Sequence, residues 1–306
     1  MRKRVSTPPI VAQTVAFAAP LGLSVAMRRS RSRDVSVCAL QMWAYLAAYK
    51  TPHDDQLAQR KRTRIDYPIA VDRVLGLGEL PTVRLQRTIA RWGPDGARWT
   101  VLDRILVWAH WMWFAVPHTA LAYILFRHPR NFPRAAVMTY TVFDLGAVVY
   151  WLLPTAPPWY VSAAAENEHP EPASNGQCQA PIAPSGVAVR RMMVEYGEHF
   201  WGDSWGRLYS VFGGNPLAAM PSLHFGTSVM AALLLTEAEP LAGAVGWSYA
   251  LGLGFALVYL GEHYVVDLIA GAALAIAVRR AGSLAGPVVK GAGRTVAALE
   301  ARAQAP

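Results

Sequence analysis

Six apolar stretches constrain the fold of this chain more than any other feature. They cover residues 34–49, 104–126, 134–154, 222–236, 241–260 and 263–280. A helix needs about 20 residues to cross a hydrocarbon layer of about 30 Å, and a shorter helix is tolerated where its end lines a cavity in the protein. The pattern predicts an all-α integral membrane protein, a six-transmembrane-helix bundle.

Composition argues against an ordinary soluble domain. Of the 306 residues, 53% are hydrophobic, and 11 are Trp and 12 are Tyr. A net charge of +9 is also found in nucleic-acid-binding proteins. Here, however, the basic residues flank apolar segments, which is typical of proteins oriented in an anionic bilayer. We therefore expect a membrane as partner, and no nucleic acid.

The sequence divides into three parts. We expect residues 1–33 to form a basic N-terminal tail. Its apolar stretch 8–27 is followed by an arginine-rich run, 28–33, and not by a small-residue cleavage site, which predicts a retained tail or an interfacial segment. Residues 34–280 form the membrane-embedded catalytic domain. Residues 281–306 form a cytoplasmic tail.

Two polar segments interrupt the membrane domain. Residues 50–103 are rich in Arg and predict one or two interfacial helices. Residues 155–219 form an outer loop whose first half is broken by prolines, whereas its second half, 187–212, predicts a short amphipathic helix.

Basic residues beside the stretches define an orientation, because positive charge tends to stay cytoplasmic. The loop 155–219, whose balance is acidic, falls on the opposite side, which predicts a multi-pass plasma-membrane protein with both termini cytoplasmic. The basic segment 60–98 also falls outside, where we expect it to lie on lipid headgroups. The residues on the cytoplasmic side are Arg28, Arg29, Arg31, Arg33, Arg127, Arg130, Arg134, Arg279, Arg280, Lys290 and Arg294.

Two motifs place ionisable groups at the outer ends of apolar stretches, where such groups are usually functional. Residues 219–224 read Ala-Met-Pro-Ser-Leu-His, and residues 261–267 read Gly-Glu-His-Tyr-Val-Val-Asp. His263 and Asp267 are four residues apart, so on a helix they share one side. Asp267 can then accept a hydrogen bond from one ring nitrogen of His263 and leave the other nitrogen free to attack.

A nucleophilic His oriented by a carboxylate, with a second His that protonates a leaving group, suits phosphoryl transfer through a phosphohistidine. The motifs resemble Pro-Ser-x-His and His-x-x-x-Asp of the type-2 phosphatidic acid phosphatase superfamily. With Pro-Thr-Ala-Pro-Pro-Trp at 154–159, they look most like the subgroup that includes inositol phosphorylceramide synthases, which move a phosphoalcohol between lipids. The resemblance implies that His263 is the nucleophile, Asp267 its orienter, and His224 the general acid and then the base.

The sequence departs from the phosphatase branch around the phosphate. That branch carries an Arg six residues before the nucleophilic His, where this chain has Leu257, and an upstream Lys-to-Arg-Pro motif that is missing here. Amides at the helix start near Ser222 and Leu223 can bind oxyanion charge. Ser222 and Arg207 are the first candidates for phosphate binding. Three loop arginines offer a guanidinium: Arg190, Arg191 and Arg207.

Three further ionisable side chains, His110, His118 and Asp144, lie within the predicted spans. Such groups are functional candidates by default. Two interpretations stay open, since the three can pair with one another between helices or bind a lipid headgroup. We retain Asp144 and His118 as candidates for substrate binding.

These features predict a membrane lipid phosphatase or phosphotransferase for a (poly)prenyl, glycero- or inositol-type lipid phosphate. One alternative is a non-catalytic lipid-binding or transport protein on the same fold. A vanadate-dependent haloperoxidase is disfavoured by membrane embedding and by the missing Arg. Two His and one Asp can also hold zinc, but no water-polarising Glu motif accompanies them, so we expect no metal and no cofactor. The acceptor, water or alcohol, and the oligomeric state stay open.

Overall fold

The structure, a computed structural model, describes residues 9–50, 62–93, 96–165, 189–212, 215–284 and 286–303. Within these ranges, helices dominate and the only strands form a small antiparallel ribbon, β1 (Trp92–Gly93) and β2 (Gly96–Ala97). The helices are α1 (Pro9–Ala26), α2 (Arg31–Lys50), α3 (Asp66–Leu75), α4 (Pro81–Ile89), α5 (Val101–Met112), α6 (Val116–Arg127), α7 (Phe132–Leu152), α8 (Pro158–Ala165), α9 (Met192–Trp201), α10 (Trp205–Phe212), α11 (Leu223–Ala238), α12 (Pro240–Tyr259), α13 (Val265–Leu284) and α14 (Gly286–Ala303).

Helix α11 lies at the centre of the bundle and packs against α6, α7, α12 and α13. Glycine permits its closest approach to α13. A Cβ added to Gly226 would lie 2.8 Å from the Gly271 carbonyl oxygen, a distance that real Cβ atoms do not adopt. The first turn of α11 and the second turn of α13 are therefore held almost backbone to backbone.

Short connections bring the start of α11, the end of α12 and the start of α13 to one end of the bundle, here called the site end. Only Glu239 separates α11 from α12, so the chain reverses there. At the opposite end, Glu237 forms ion pairs with Arg134 and Arg279. The basic residues of α7 and α13 thus lie at the opposite end of the bundle from the two motifs.

The apolar stretch 104–126 does not form the single continuous helix that the sequence predicts. It is divided into α5 and α6 by a turn over 113–115, and Pro117 stands near the start of α6. A proline in mid-helix lacks the N–H group and its ring clashes with the carbonyl four residues earlier, here that of Trp113. The break directs Trp113 into the bundle, where its indole donates a hydrogen bond to Thr227 Oγ1 at 2.9 Å.

Two of the described helices, α7 and α12, are long and apolar enough to cross a membrane, and Thr14–Ala26 and α11 are shorter apolar helices. Many apolar side chains on α7 and α12 are exposed, and such a surface is typical of a membrane-facing protein. The six-crossing count stays a prediction. Exposed apolar side chains on α7 and α12 include Val137, Leu145, Val148, Leu241, Val245 and Leu251.

The segments outside the core are mostly helical. Residues 50–103 contain α3 and α4, in agreement with one or two predicted helices, although 51–61 lie outside the described residues. The helix predicted over 187–212 is two helices, α9 and α10, separated at Gly202. The proline-rich first half of the outer loop falls largely on 166–188, also outside the described residues.

Candidate active site

The first motif begins helix α11. Ser222 is its N-cap, and the buried hydroxyl oxygen accepts a hydrogen bond from the Phe225 amide at 3.3 Å, as N-cap serines do. His224 therefore lies in the first turn of the helix. The Ser222 amide donates to the Asp267 carbonyl at 2.9 Å, which joins the first motif directly to the second.

A tight loop between α12 and α13 positions His263. Gly261 adopts φ +83°, which favours glycine, and a Cβ there would lie 2.9 Å from the Arg190 carbonyl oxygen. The amides of Glu262 and His263 both donate to the Leu257 carbonyl, at 3.0 and 3.1 Å. These bonds pair the Leu257 carbonyl, which lies in the last turn of α12 and would otherwise lack a partner. They also turn the chain back into the bundle.

His224, His263 and Asp267, here called the trio, form one connected row of side chains. His263 Nδ1 lies 3.4 Å from Asp267 Oδ2, and His224 Nδ1 lies 3.2 Å from His263 Nε2. The ring nitrogen of His263 that does not contact the carboxylate therefore faces His224. His263 is 4% exposed and Asp267 is fully buried, so water competes little for their contact.

The pairing of His263 with Asp267 arises at a helix start, whereas the sequence predicts it along one helix face. Helix α13 begins at Val265, two residues after His263. Asp267 occupies the third helical position, where its Oδ2 also accepts the Tyr264 amide at 2.9 Å. A carboxylate at this position commonly accepts the amide of the N-cap residue. The same capping geometry therefore holds Asp267 beside the imidazole.

Two buried polar residues of α3 and α4 brace this loop, and the sequence analysis missed both. Asp72 accepts the amides of Val265 and Val266 at 2.8 and 2.9 Å. It supplies, from 193 residues earlier in the chain, a cap for the first turn of α13. Gln86 donates to the Tyr259 carbonyl at 2.9 Å. No local pattern marks either residue, because their partners are distant in sequence.

Residues 154–159 link the two motifs. The Ala219 amide donates to the Thr155 carbonyl, and the Trp159 amide donates to the Gly261 carbonyl, both at 3.2 Å. Thr155 is fully buried and Trp159 is 7% exposed. The proline-containing segment therefore forms a rigid wall at the site end.

Among the predicted loop arginines, Arg191 contacts a neighbour of the trio. Its Nε lies 3.4 Å from Glu262 Oε1, and Glu262 directly precedes His263. Its guanidinium carbon lies 3.4 Å from the centre of the Trp159 ring, a cation–π contact. A guanidinium is thus held at the edge of the site.

The two other loop arginines are solvent-exposed. Arg190 forms an ion pair with Glu195 of α9. Arg207 is exposed on α10. Neither side chain is brought to the trio in this structure.

Leu257 stands where the phosphatase branch carries an arginine, and the residues around it are also apolar. Leu257 is fully buried and packs in one cluster with Leu253, Val258 and Leu268. A charge at this position would be desolvated without a partner in that cluster. Helix α12 therefore offers no cation to a phosphate.

The three ionisable side chains within the predicted spans do not pair with one another, so that interpretation is wrong. Asp144 accepts a hydrogen bond from Gln41 Nε2 at 3.0 Å. The His118 ring stacks on Phe143 with 6.2 Å between ring centres. Only His110 reaches the trio, where its ring lies 5.1 Å from that of His224 at an interplanar angle of 27°.

Comparison with known proteins identifies the family to which the chain is similar. The chain matches the PAP2 superfamily over residues 97–281, which include the trio. It is 31% identical over 174 residues to the inositol phosphorylceramide synthase catalytic subunit aur1 of Schizosaccharomyces pombe, covering 54% of this chain and 37% of that protein. It is 31% identical over 182 residues to inositol phosphorylceramide synthase of Candida albicans, covering 58% and 35%.

The matched part spans little more than a third of the length of either relative. No solved structure matches the chain. The superfamily match covers more than half of the chain and includes both motifs. The chain belongs to the PAP2 superfamily.

Proposed function

We propose that the protein is a membrane-embedded lipid phosphatase or phosphotransferase that works through a phosphohistidine at His263. The observation that carries the proposal is the connected row Asp267–His263–His224 at the site end. It supplies a nucleophile, a group that orients the nucleophile and a proton donor, and each role has its own residue.

Two half-reactions follow from these roles. In the first, His263 Nε2 attacks phosphorus while the bond from phosphorus to the leaving oxygen breaks, and protonated His224 donates its proton to that oxygen. Asp267 stabilises the charge that develops on the His263 ring. In the second, water or an acceptor hydroxyl attacks phosphorus, His224 takes its proton, and the phosphorus–nitrogen bond breaks. His263 and His224 return to their starting states.

Substrate binding requires one local change. His224 and His263 contact each other at 3.2 Å, which leaves no space for a phosphoryl group between their nitrogens. We infer that the bound phosphoryl group replaces this contact. His224 is partly exposed, which is consistent with access from the site end.

For the phosphate oxygens we propose two partners. The first turn of α11, capped by Ser222, presents backbone amides and the positive end of the helix dipole. Arg191 supplies a guanidinium after partial release from Glu262. The buried Ser222 side chain then acts by fixing the amides.

The names of the two relatives make an inositol-type lipid phosphate the first substrate to test, with prenyl and glycerolipid phosphates beside it. We also propose that the site end faces outward from a plasma membrane. Arg134 and Arg279 lie at the opposite end of the bundle, and positive charge tends to remain cytoplasmic.

The test is turnover by purified protein in detergent, with phosphate release and transfer to an alcohol measured separately. We expect His263→Ala and His224→Ala each to reduce turnover by about 10²-fold or more, because each removes a group that takes part in bond making or proton transfer. Full activity in either variant would contradict the proposal.

His199→Ala is the matched control. His199 is an exposed histidine on α9 whose ring contacts Trp99 and Tyr196. We expect this variant to keep wild-type turnover. Equal losses in all three variants would indicate a general effect of histidine removal on folding.

A further inference from the structure

His110 is a buried histidine that the proposed mechanism does not use. It lies near the end of α5 and is 5% exposed. Its Nδ1 is buried, and no described residue provides it with a hydrogen-bond partner. Buried polar atoms are nearly always paired, so an orphaned nitrogen of this kind requires a physical reason.

His110 contacts the trio through His224. Its ring stacks on the ring of His224, which in turn contacts His263. Glu262 and Arg191 also lie within electrostatic range of it. His110 Nδ1 therefore lies at the same end of the bundle as His263, the proposed nucleophile. Its ring packs directly against that of His224, the proposed proton donor.

The other side chains around His224 leave the phosphoryl oxygens short of hydrogen-bond donors. Leu257 offers no cation, and the indole N–H of Trp113, which also contacts His224, already donates to Thr227. A transferred phosphoryl group has three non-bridging oxygens, and each needs donors in a site from which water is largely excluded. Displacement of the contact between His224 and His263 by substrate would bring such oxygens next to His110.

We propose that His110 is a phosphoryl-binding residue that donates a hydrogen bond from its imidazole N–H to a non-bridging oxygen of the transferred group. It supplies a neutral donor where the phosphatase branch uses an arginine. This inference rests on the proposed function, since it requires a phosphoryl group beside His263.

Two substitutions separate hydrogen bonding from packing. His110→Phe keeps an aromatic ring against His224 but has no N–H group. His110→Asn loses the ring but keeps an N–H donor close to the position of Nδ1. We expect His110→Phe to lower kcat/KM by roughly 10- to 100-fold, in the range of a lost donor to a developing oxyanion, and His110→Asn to recover part of that loss.

Orthovanadate gives a readout that does not depend on turnover. It mimics the transferred group, so we expect it to raise the Tm of the wild type in detergent, and to raise that of His110→Phe less. His128→Phe is the matched control. His128 lies beside Tyr123 and near Glu239, at the opposite end of the bundle, and its substitution should leave both readouts unchanged.

Several results would overturn the inference. One is a folded His110→Phe variant with wild-type kcat/KM and wild-type vanadate stabilisation. Another is the reverse order, in which Phe is tolerated and Asn is not, because that order indicates packing alone. Absence of vanadate stabilisation in the wild type also contradicts it. If the wild type binds vanadate but turns over no lipid phosphate, the proposed function fails and the binding role of His110 is still tested.

Discussion

Asp267 carries two structural tasks with one carboxylate group. Its Oδ2 lies 3.4 Å from His263 Nδ1 and also accepts the Tyr264 amide, while its carbonyl accepts the Ser222 amide. The helix cap, the orientation of the imidazole and the connection between the motifs therefore depend on one residue. Asp72 extends this arrangement, because its two oxygens accept the next two amides of α13.

Asp72 also introduces a pH dependence. Burial raises its pKa to about 6, although its two backbone hydrogen bonds oppose the rise. Because the folded pKa exceeds the ordinary value, the folded protein binds this proton more tightly than the unfolded chain does. The contribution to stability is present at low pH and is lost as the pH rises through about 6.

We expect Asp72→Asn, which cannot ionise, to lack this dependence. The Tm of the wild type in detergent should rise relative to that of Asp72→Asn as the pH falls from 7 towards 4. Asp66→Asn, which changes an exposed carboxylate on the same helix, gives the background. A constant difference between wild type and Asp72→Asn over that range would contradict the assignment.

The sequence predicts the trio, but it does not predict the residues that contact the trio or hold its loop in place. Pro-Ser-x-His and His-x-x-x-Asp are local patterns, and four-residue spacing at a helix start brings His263 and Asp267 together. Asp72 and Gln86 bond to backbone groups more than 100 residues away, a relation that no local pattern encodes. In the sequence His110 is only an ionisable group inside an apolar stretch, because its contact with His224 depends on how α5 packs.

At the scale of elements, the close contact of α11 with α13 fixes the distance between the motifs. A Cβ on Gly271 would lie 2.3 Å from the Ser222 carbonyl oxygen and 3.2 Å from the Gly226 amide nitrogen. Both neighbours are backbone atoms in the first turn of α11, so they cannot rotate away. Any larger residue at this position must separate the two helices.

We therefore expect Gly271→Ala to destabilise the protein by roughly 1–3 kcal/mol, as overpacking commonly does, and to reduce turnover because His224 moves away from His263. The Tm in detergent and turnover of lipid phosphate measure the two effects. Gly252→Ala is the control, since nothing lies within 4 Å of a Cβ there. Wild-type stability and activity in Gly271→Ala would show that the helices can separate without consequence.

Hydrophobic pattern alone located most of the core helices. The stretches 134–154, 222–236, 241–260 and 263–280 agree with α7, α11, α12 and α13 to within a few residues, because prolines, glycines and charges bound them. The pattern is wrong at 104–126, where α5 ends at Met112 and Pro117 stands near the start of α6. Average hydrophobicity does not detect such a break, whereas the stereochemistry of proline requires it.

At the scale of the whole molecule, the ion pairs of Glu237 and the trio lie at opposite ends of the bundle. Glu237 pairs with Arg134 and Arg279 at one end, whereas the trio lies at the start of α11 and α13 at the other. At the chain termini, Glu300 of α14 forms ion pairs with Arg29 and Arg33. The three residues of the trio are therefore confined to one end of the bundle.

The most direct test is to trap the phosphoenzyme. Protein mixed with a radiolabelled lipid phosphate is quenched within one turnover, and the label is located by mass spectrometry after digestion at alkaline pH, which preserves phosphohistidine. We expect acid-labile phosphate on His263 in the wild type and none in His263→Asn. A label on another residue, or single-turnover cleavage by His263→Asn at the wild-type rate, would contradict the assignment of His263 as the nucleophile.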